Sequence, residues 1–251
     1  MNILINGVGG HMGHEVYNLA VKNYRGANAF CGVDAQADLG GFSIPCAADF
    51  NQLDASVISD IDVIIDFSHH SLTKALTDFA VANKLPLVIA TTGQTDEEKE
   101  MIKAAANDIP VFFAANFSMG VALLIELAKK AALAMPDAEI EIIETHHDRK
   151  LDAPSGTALA IANAIKEVRP ESTFNMGRSG NCKRTPEEIG INSIRMGNVV
   201  GIHEVLVGTQ NQTITLKHEA HSRALFAEGA LAAAEYLCGK PAGLYNMENL
   251  I

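Results

Sequence analysis

The fold is decided by one stretch near the start of the chain, Ile3-Leu4-Ile5-Asn6-Gly7-Val8-Gly9-Gly10-His11-Met12-Gly13. A short apolar strand runs directly into a glycine-rich turn that opens a helix, so the backbone N–H groups and the helix dipole can face a pyrophosphate. The stretch departs from the plain G-x-G-x-x-G pattern, because Met12 holds the sixth position and Gly13 follows it. An ordinary tight turn is the alternative, but the strand–turn–helix setting favours nucleotide binding.

Outward from this stretch, β-branched runs alternate with helical segments, which is typical of a parallel sheet covered by helices. The sequence therefore predicts an α/β, Rossmann-like, doubly wound sheet. After the first strand, the predicted strands are Ala29–Asp34, Val63–Phe67, Leu87–Thr91 and Val111–Ala114, and the predicted helices are Gly13–Val21, Ser71–Asn83 and Thr95–Ala106.

The pattern changes after Asn116-Phe117-Ser118, where we place a domain boundary. A long apolar helix from Val121 to Ala134 ends at Met135-Pro136, since proline cannot continue it. Polar alternation then predicts a second α+β domain with a mixed or antiparallel sheet. Its strands are Glu139–Glu144, Asn192–Met196, Gly201–Gly208 and Gln212–His218, with one helix after Ser155, and a last helix runs over Leu225–Cys238 before Gly239 and Pro241.

Composition narrows the class of protein. A formal net charge of −11 over 251 residues, without a basic cluster, argues against nucleic acid or an anionic membrane as partner. The four cysteines form no C-x-x-C pair, which predicts neither a disulfide framework nor a zinc site, and no apolar run approaches the roughly 20 residues of a membrane span. His218 and His221, or His69-His70, lack a third ligand at metal-site spacing, so we expect no metal. We expect a cytoplasmic protein.

Asp34 stands at the end of the second predicted strand, where a carboxylate commonly accepts hydrogen bonds from the adenine ribose. Ala35-Gln36-Ala37-Asp38 supply no cation for a 2′-phosphate, so this region favours NADH over NADPH. A solvated strand-end aspartate is the alternative. Later strands end in ordinary turn sequences at the edge where ligands bind such sheets, namely Asp66-Phe67-Ser68, Ala90-Thr91-Thr92-Gly93 and Ala114-Ala115-Asn116-Phe117.

A second chemical signal lies between Glu139 and Thr157. The predicted strand delivers His146, His147 and Lys150 into a loop before a helix start. Ser155-Gly156-Thr157 would present a hydroxyl and free N–H groups to a carboxylate, with positive charge from Lys150 and His147, and His146 suits a general acid. A solvated loop followed by a serine N-cap explains the same residues equally well.

Together, E-I-I-E-x-H-H-x-x-K-x-D-A-P-S-G-T-A and the glycine-rich turn resemble the 4-hydroxy-tetrahydrodipicolinate (dihydrodipicolinate) reductase family of diaminopimelate and lysine biosynthesis. The resemblance extends over nearly the whole chain and includes Arg178-Ser179-Gly180, Arg195-Met196-Gly197, Gly201–Glu204 and Ser222-Arg223. It implies a dinucleotide-binding domain of residues 1–117 and 225–251, and a substrate-binding and oligomerisation domain of residues 118–224 that builds a homotetramer.

The resemblance also implies residue roles. His146 and Lys150 would be the proton donors, and His147, Gly156 and Thr157 would hold a carboxylate of a small cyclic dicarboxylate substrate. Hydride would pass from nicotinamide C4 to the unsaturated ring, with loss of water. The implied cofactor contacts are Gly7, Val8, Gly9, Gly10, His11, Met12, Asp34, Ala90, Thr91, Thr92, Ala114, Ala115, Asn116 and Phe117.

Two positions depart from the family pattern, since Ala35 stands where many members have an arginine and His11 stands where arginine or lysine is frequent. Both changes favour NADH and leave NADPH possible. Two alternatives stay open. Another two-domain dehydrogenase of the aspartate type would share the first domain but not the His146–Thr157 segment. A non-catalytic NAD(H)-sensing protein would keep its function without His146 and Lys150.

Overall fold

The computed structural model describes residues 1–35 and 39–251. Two compact units divide the chain: unit 1 is Met1–Ser118 with Ala224–Ile251, and unit 2 is Met119–Arg223. The expected lack of a cation at Gln36, Ala37 and Asp38 lies outside the described residues. Within those that are described, no helix is long and apolar enough to cross a membrane.

The strands, in chain order, are β1 Asn2–Asn6, β2 Asn28–Val33, β3 Cys46–Ala47, β4 Val63–Asp66, β5 Leu87–Ile89, β6 Pro110–Phe113, β7 Glu139–His146, β8 Thr173–Asn175, β9 Glu188–Arg195, β10 Gly201–Gly208, β11 Thr213–Ala220 and β12 Gly243–Tyr245. The α-helices are α1 His11–Val21, α2 Ala55–Ile58, α3 Thr73–Ala82, α4 Asp96–Ala105, α5 Met119–Ala134, α6 Gly156–Val168 and α7 Ala224–Leu237.

Unit 1 is built on a parallel sheet in the order β12-β6-β5-β4-β1-β2-β3. The central strands are buried on both faces, which explains their unbroken apolar runs such as Val63-Ile64-Ile65. The strand order reverses between β1 and β4, and ligands bind at the carboxyl edge of such a switch point. The Rossmann-like prediction is confirmed.

Helix α7 belongs to unit 1 although it follows unit 2 in the chain. It packs against α1 and the strands β4, β5 and β6, and its alanines are almost all buried. Gly229 allows this approach, because a Cβ there would lie 1.7 Å from the carbonyl oxygen of Phe117. The alanine-rich composition of α7 therefore reflects close packing of a helix on the sheet.

Unit 2 contains a five-stranded mixed sheet in the order β11-β10-β7-β9-β8. β10 is antiparallel to β7 and β11, whereas β7, β8 and β9 are mutually parallel. Alternate residues of β7 and β10 are buried, since α5 and α6 cover one face. The predicted second α+β sheet is confirmed in its mixed form.

Arg169 fastens the end of α5. Its guanidinium donates hydrogen bonds to the carbonyl oxygens of Ala132, Met135 and Ala138, at 2.8 Å for Ala138. Ala132 lies in the last turn of α5, whereas Met135 and Ala138 follow the helix, so Arg169 ties the helix end to the segment that leads into β7.

Several predicted bounds need correction. β7 runs two residues past Glu144, so His146 ends a strand instead of lying in a loop. β9 begins at Glu188, four residues before the predicted Asn192, because its first half pairs with β7 and β8. The short strands β3, β8 and β12 were not predicted.

Candidate functional site

The glycine-rich turn of unit 1 is shaped by steric limits. Gly7 has φ of +80°, and a Cβ there would lie 2.5 Å from the carbonyl oxygen of Phe67. A Cβ on Gly13 would lie 2.0 Å from the carbonyl oxygen of Gly7. Only glycine fits at either position, so the turn stays tight against the start of α1.

Helix α1 begins directly after this turn, with Gly10 as its N-cap. Gly10 has no side chain with which to satisfy the first N–H groups of the helix. By contrast, α4 begins with a full capping box of Thr95 and Glu98. The start of α1 therefore keeps its N–H groups and positive dipole end available for an anion.

Asp34 lies beside the turn. The backbone N–H of Gly9 donates to Oδ2 of Asp34 at 3.1 Å, which places this carboxylate at the end of β2 next to the glycine residues. Val8, also expected to contact the cofactor, is fully buried and lies against Gly32 of β2. The side chain of Val8 is therefore part of the core, and only its backbone can serve a ligand.

A cavity of about 570 Å³ opens at the carboxyl edge of the sheet in unit 1. It brings together most of the expected cofactor contacts: His11, Met12, Ala90, Thr91, Thr92, Ala115, Asn116 and Phe117 line it. Six expected contacts are not among its lining residues: Gly7, Val8, Gly9, Gly10, Asp34 and Ala114. The volume is within the range of small-molecule and cofactor sites.

Five further residues that the sequence analysis did not select line the same cavity: Phe67, Ser68, His69, His70 and Phe226. The first four follow β4 at the carboxyl edge where a ligand was expected; the sequence pattern places Phe67 and Ser68 at that edge, and His69 and His70 come directly after them. Phe226 lies on α7, more than a hundred residues away from the other lining residues, and nothing in the local pattern marks it.

A buried polar cluster supports the edge of this cavity. Asp66, at the end of β4, accepts hydrogen bonds from Asn6 Nδ2 at 2.7 Å and Ser68 Oγ at 2.5 Å. Burial raises the pKa of Asp66, and the hydrogen bonds from Ser68 and Asn6 partly offset that effect. The cluster joins β1 to the segment after β4 and so fixes the turn of Gly7 against Phe67.

The residues of unit 1 fit a nicotinamide dinucleotide. The turn approaches a ligand through glycine positions that a Cβ would fill, the start of α1 is free of a side-chain cap, and a carboxylate stands beside Gly9. These are the three requirements of dinucleotide binding at a first strand–helix turn.

In unit 2 the centre of the candidate site is His146, the last residue of β7. Its Nδ1 lies 2.5 Å from Oε2 of Glu144, two residues earlier on the same face of the strand. Both side chains are buried. The other ring nitrogen, Nε2, lies beside Gly201 of β10, where a Cβ would be 3.2 Å from it.

Glu144 is a fully buried carboxylate with only donors around it. Arg195 on β9 donates to both of its oxygens, at 2.8 and 2.7 Å, and the N–H of Ser155 donates to Oε1 at 3.1 Å. Burial alone would raise the pKa of Glu144, but the hydrogen bonds from Arg195, Ser193 and His146 outweigh it and lower the pKa to about 2. Glu144 is therefore an anion at any pH near neutrality.

The pKa of His146 is lowered, chiefly by burial, while the hydrogen bond and charge of Glu144 act in the opposite direction. Its ring meets that of His203 edge-on, with centroids 5.1 Å apart. Burial, followed by the charge of His146, lowers the pKa of His203 to about 4. At neutral pH the ring of His203 beside His146 is therefore uncharged.

The role expected of Ser155 needs correction. Its side chain is only 2% exposed, accepts a hydrogen bond from the N–H of Ala158 as the N-cap of α6, and pairs with His203 Nε2 at 3.2 Å. The hydroxyl is therefore used within the unit and does not face a ligand. The N-cap that the sequence left as an alternative is what the structure contains.

The next two residues of α6 are placed differently. Gly156 is exposed, and a Cβ there would meet no atom within 4 Å from the described residues beyond its chain neighbours and the backbone of its own helix turn. The start of α6 is therefore open at Gly156, with Thr157 in the first turn behind it. An open helix N-terminus is a binding position for an anionic group.

Three basic groups, His147, Arg149 and Lys150, lie on the loop that follows His146. Nδ1 of His147 is buried and has no hydrogen-bond partner in the described part of the chain. Lys150 lies 2.8 Å from Oδ1 of Asp152 and is mostly covered. The loop is held to the segment after β9, because the N–H of Asp148 donates to Gly197 and Arg149 donates to Asn198.

Three residues of this site, Glu144, Arg195 and His203, were not predicted from the sequence to be functional. All three belong to motifs that carried the family resemblance, and Glu144 also stands two residues before His146 on a strand, which indicates that the two side chains share a face. Among the residues that the structure describes, no group of three or more histidine, cysteine or acidic side chains could hold a metal ion.

Comparisons with known proteins agree over the full length of the chain. The family model described as dihydrodipicolinate reductase, N-terminus, matches residues 1–117, and the model of the C-terminus matches residues 120–251. A curated relative, the 4-hydroxy-tetrahydrodipicolinate reductase of Caldanaerobacter subterraneus subsp. tengcongensis, is 42% identical over 253 aligned residues, which cover 100% of this chain and 98% of the relative.

Two solved structures allow a comparison with a dihydrodipicolinate reductase and with an aspartate dehydrogenase. A dipicolinate-bound dihydrodipicolinate reductase from Paenisporosarcina sp. TG-14 superposes with a TM-score of 0.84 at 28% identity, covering 100% of this chain and 99% of the other. The aspartate dehydrogenase of Thermotoga maritima reaches a TM-score of 0.53 at 15% identity, covering 96% and 98%. The second likeness concerns the fold alone.

Proposed function

The chain belongs to the dihydrodipicolinate reductase family, and from this premise we propose how its residues reduce 4-hydroxy-tetrahydrodipicolinate. The enzyme is an oxidoreductase. In our proposal, unit 1 binds the nicotinamide nucleotide and unit 2 binds the substrate. The observation that carries the assignment is the buried pair of His146 and Glu144 next to the open N-terminus of α6.

In unit 1, the turn from Gly7 to Met12 receives the pyrophosphate and Asp34 the adenine ribose. The side chains or backbone of Ala90–Thr92 and Ala115–Phe117 line the space for the remainder of the nucleotide. When bound, a reduced nicotinamide supplies a hydride to the substrate ring. The cavity residues orient the nucleotide and exclude water from it.

In unit 2, the substrate is a small cyclic dicarboxylate, in line with the dipicolinate bound by the Paenisporosarcina relative. The N–H groups of Gly156 and Thr157 at the open start of α6, together with the ring of His147, hold one carboxylate. Lys150 adds the positive charge. Ser155 takes no direct part, because its hydroxyl is already paired.

His146 and Lys150 supply the protons. Nδ1 of His146 is occupied by Glu144, so proton exchange with substrate takes place at Nε2, on the side of Gly201. In balance, the substrate gains one hydride and one proton and loses one molecule of water, which gives tetrahydrodipicolinate. Lys150, the second donor, can assist the departure of the hydroxyl group as water.

The nucleotide preference follows from charge. Asp34 stands beside Gly9 with its carboxylate held in place, and a 2′-phosphate there would meet a like charge. We therefore propose that NADH is preferred and NADPH is accepted less well.

In line with the family reaction, we propose that the enzyme acts in diaminopimelate and lysine biosynthesis, in the cytoplasm. The sheet face of unit 2 opposite α5 and α6 carries half-exposed apolar side chains, among them Ile143, Ile194 and Leu206. Such a face suits burial against other copies of the chain, so we propose a homotetramer assembled through this sheet.

Turnover of enzymatically generated 4-hydroxy-tetrahydrodipicolinate tests this function directly, with oxidation of NADH or NADPH as the signal. We expect substrate-dependent oxidation that is lost in His146→Gln and in Lys150→Met, while both variants still bind nucleotide. Absence of oxidation with either nucleotide in the unmodified, folded enzyme would overturn the assignment. Unchanged oxidation after both substitutions would overturn the roles given to His146 and Lys150, and nucleotide binding without any oxidation in the unmodified protein would favour the non-catalytic alternative.

A further inference from the structure

We propose that Glu144 is a positioning residue that sets two parts of the substrate site at once. One carboxylate oxygen keeps the proton of His146 on Nδ1, and the other holds the backbone N–H of Ser155 at the start of α6. The proposal rests on the function proposed for His146 and goes beyond it, because it assigns Glu144 a role in both the acid–base chemistry of His146 and the position of the helix start that binds the substrate carboxylate.

The surroundings of Glu144 fix the direction of its hydrogen bond with His146. Glu144 is fully buried, ionised and surrounded by donors from Arg195 and Ser155, so it can only accept. The ring nitrogen that lies 2.5 Å from it, Nδ1 of His146, must therefore carry a proton in both states of the ring. Neutral His146 then has its lone pair on Nε2, which is the nitrogen beside Gly201.

The groups that surround His146 leave the orientation of its ring to Glu144. A different nearby acceptor could turn the ring or draw the proton to Nε2. The nearest ring is His203 on β10, which meets His146 edge-on and pairs its own Nε2 with Ser155 Oγ. Gly201 contributes no side chain next to Nε2. The local geometry thus leaves Glu144 as the group that fixes the ring.

The charged and titratable groups that face His146 include one anion, Glu144. His146 is faced by Glu144 on its own strand, Arg195 on β9, His203 on β10 and Lys150 on the following loop. His218 on β11 is paired in register with His203 and lies one strand farther away. Among these groups Glu144 alone is an anion, so it is the group that favours the protonated ring against burial and against the two cations.

Glu144 also links the acid–base residue His146 to the helix start that binds substrate. Ser155 is the N-cap of α6, and Gly156 and Thr157 follow it in the first turn. The carboxylate that orients His146 also fixes the N–H of Ser155 at 3.1 Å. One buried group therefore sets the distance between the reacting nitrogen and the helix start that receives the substrate carboxylate, and Arg195 keeps this group in place through both oxygens.

The direct test is ¹⁵N NMR of the intact protein labelled at histidine, with the His146 signals assigned from their loss in His146→Gln. In the unmodified protein we expect the neutral ring to be protonated at Nδ1 and not at Nε2. A neutral ring with its proton on Nε2 would overturn the proposal without the need for any variant. This measurement does not depend on turnover, so an inactive protein with Nδ1 protonated would refute the proposed function alone.

The kinetic test compares Glu144→Gln with Glu141→Gln. Glu141 lies on the same strand and is also paired with arginines, but it faces the other side of the sheet. For Glu144→Gln we expect kcat to fall about 10²-fold and the pH profile of kcat to shift to lower pH, because the anion that favours the charged ring is lost. Glu141→Gln should keep kcat and the pH profile.

A merely structural role would give a different result. It would lower the amount of folded enzyme in Glu144→Gln and leave the pH profile of kcat and the His146 titration of the folded fraction unchanged. That outcome overturns the proposal. If Glu144→Gln does not fold, the NMR result on the unmodified protein still decides the question.

Discussion

The ammonium nitrogen of Lys150 lies 2.8 Å from Oδ1 of Asp152. The carboxylate of Asp152 is 59% exposed, whereas Lys150 is 22% exposed, so this is a solvent-screened pair and worth at most about 1 kcal/mol. Because Lys150 is expected to meet a substrate carboxylate, Asp152 competes with the substrate for the same cation.

We therefore expect Asp152→Asn to bind dipicolinate about two- to fivefold more tightly, which is the size of a lost exposed ion pair. Asp148→Asn is the control, since Asp148 pairs with Arg149 on the same loop and not with Lys150. Calorimetric titration at two salt concentrations measures the effect. Weaker binding by Asp152→Asn would mean that Asp152 orients Lys150 instead of competing for it.

Gly201 gives a steric prediction for the acid–base nitrogen. A Cβ at this position would lie 3.2 Å from Nε2 of His146, where it narrows the space for substrate. We expect Gly201→Ala to lower kcat about 10-fold with little loss of folded protein, since reacting groups tolerate little misplacement. Gly208→Ala, on the same strand with a Cβ contact at 3.4 Å to Thr213, should keep its activity. Equal activity of the two variants would place the reacting atom elsewhere.

The nucleotide preference can be reversed at the end of β2. Ala35→Arg adds a guanidinium next to Asp34, where the 2′-phosphate would lie, and a charge-assisted hydrogen bond to it is worth about 1.5–3 kcal/mol. We expect the ratio of kcat/KM for NADPH over NADH to rise by about 10-fold or more. Asp34→Ala should weaken NADH use as well as reduce the discrimination. A clear NADPH preference in the unmodified enzyme would contradict the charge argument.

Unit 2 should lose stability in mild acid because of His203. Its pKa is about 4 in the folded protein, against 6.5 for an ordinary histidine, chiefly because of burial. As pH falls from about 6.5 toward 4, the unfolded chain takes up a proton that the folded chain refuses, so the stabilisation present above pH 6.5 is lost in this window.

We expect the free energy of unfolding to fall between pH 7 and pH 4.5, and this fall to be smaller in His203→Gln by about 2 kcal/mol. Denaturant titrations at both pH values measure it. His221→Gln, which changes an exposed histidine of the same unit, is the control and should keep the pH dependence. An unchanged pH dependence in His203→Gln would assign the acid sensitivity to other groups.

The long elements could be predicted from the sequence because their own patterns define them. The apolar runs of β1 and β4 and the alternation of β10 each contain the full signal for a strand. The strands β3, β8 and β12 have two or three residues and exist because a neighbouring backbone offers hydrogen bonds, as when Gly243 and Leu244 pair beside β6. No window of local sequence contains that information.

The same limit applies to the candidate site. His146, Lys150 and the turn at Gly7 were predictable because they belong to short motifs whose residue types indicate a chemical role. The buried group that organises them was not, since the importance of Glu144 comes from Arg195, 51 residues away along the chain, and from its own complete burial. The misassigned role of Ser155 has the same cause, because its partner His203 is on a different strand.

The chain order of unit 1 has a consequence for biosynthesis. Its sheet is begun by the first residues of the chain, but α7 and β12, which cover and extend that sheet, come after the whole of unit 2. On a ribosome, unit 2 is complete in one continuous segment while the earlier sheet still lacks the helix that covers β4, β5 and β6. Each nascent chain thus exposes the hydrophobic surface of that sheet to chaperones until α7 has been synthesised.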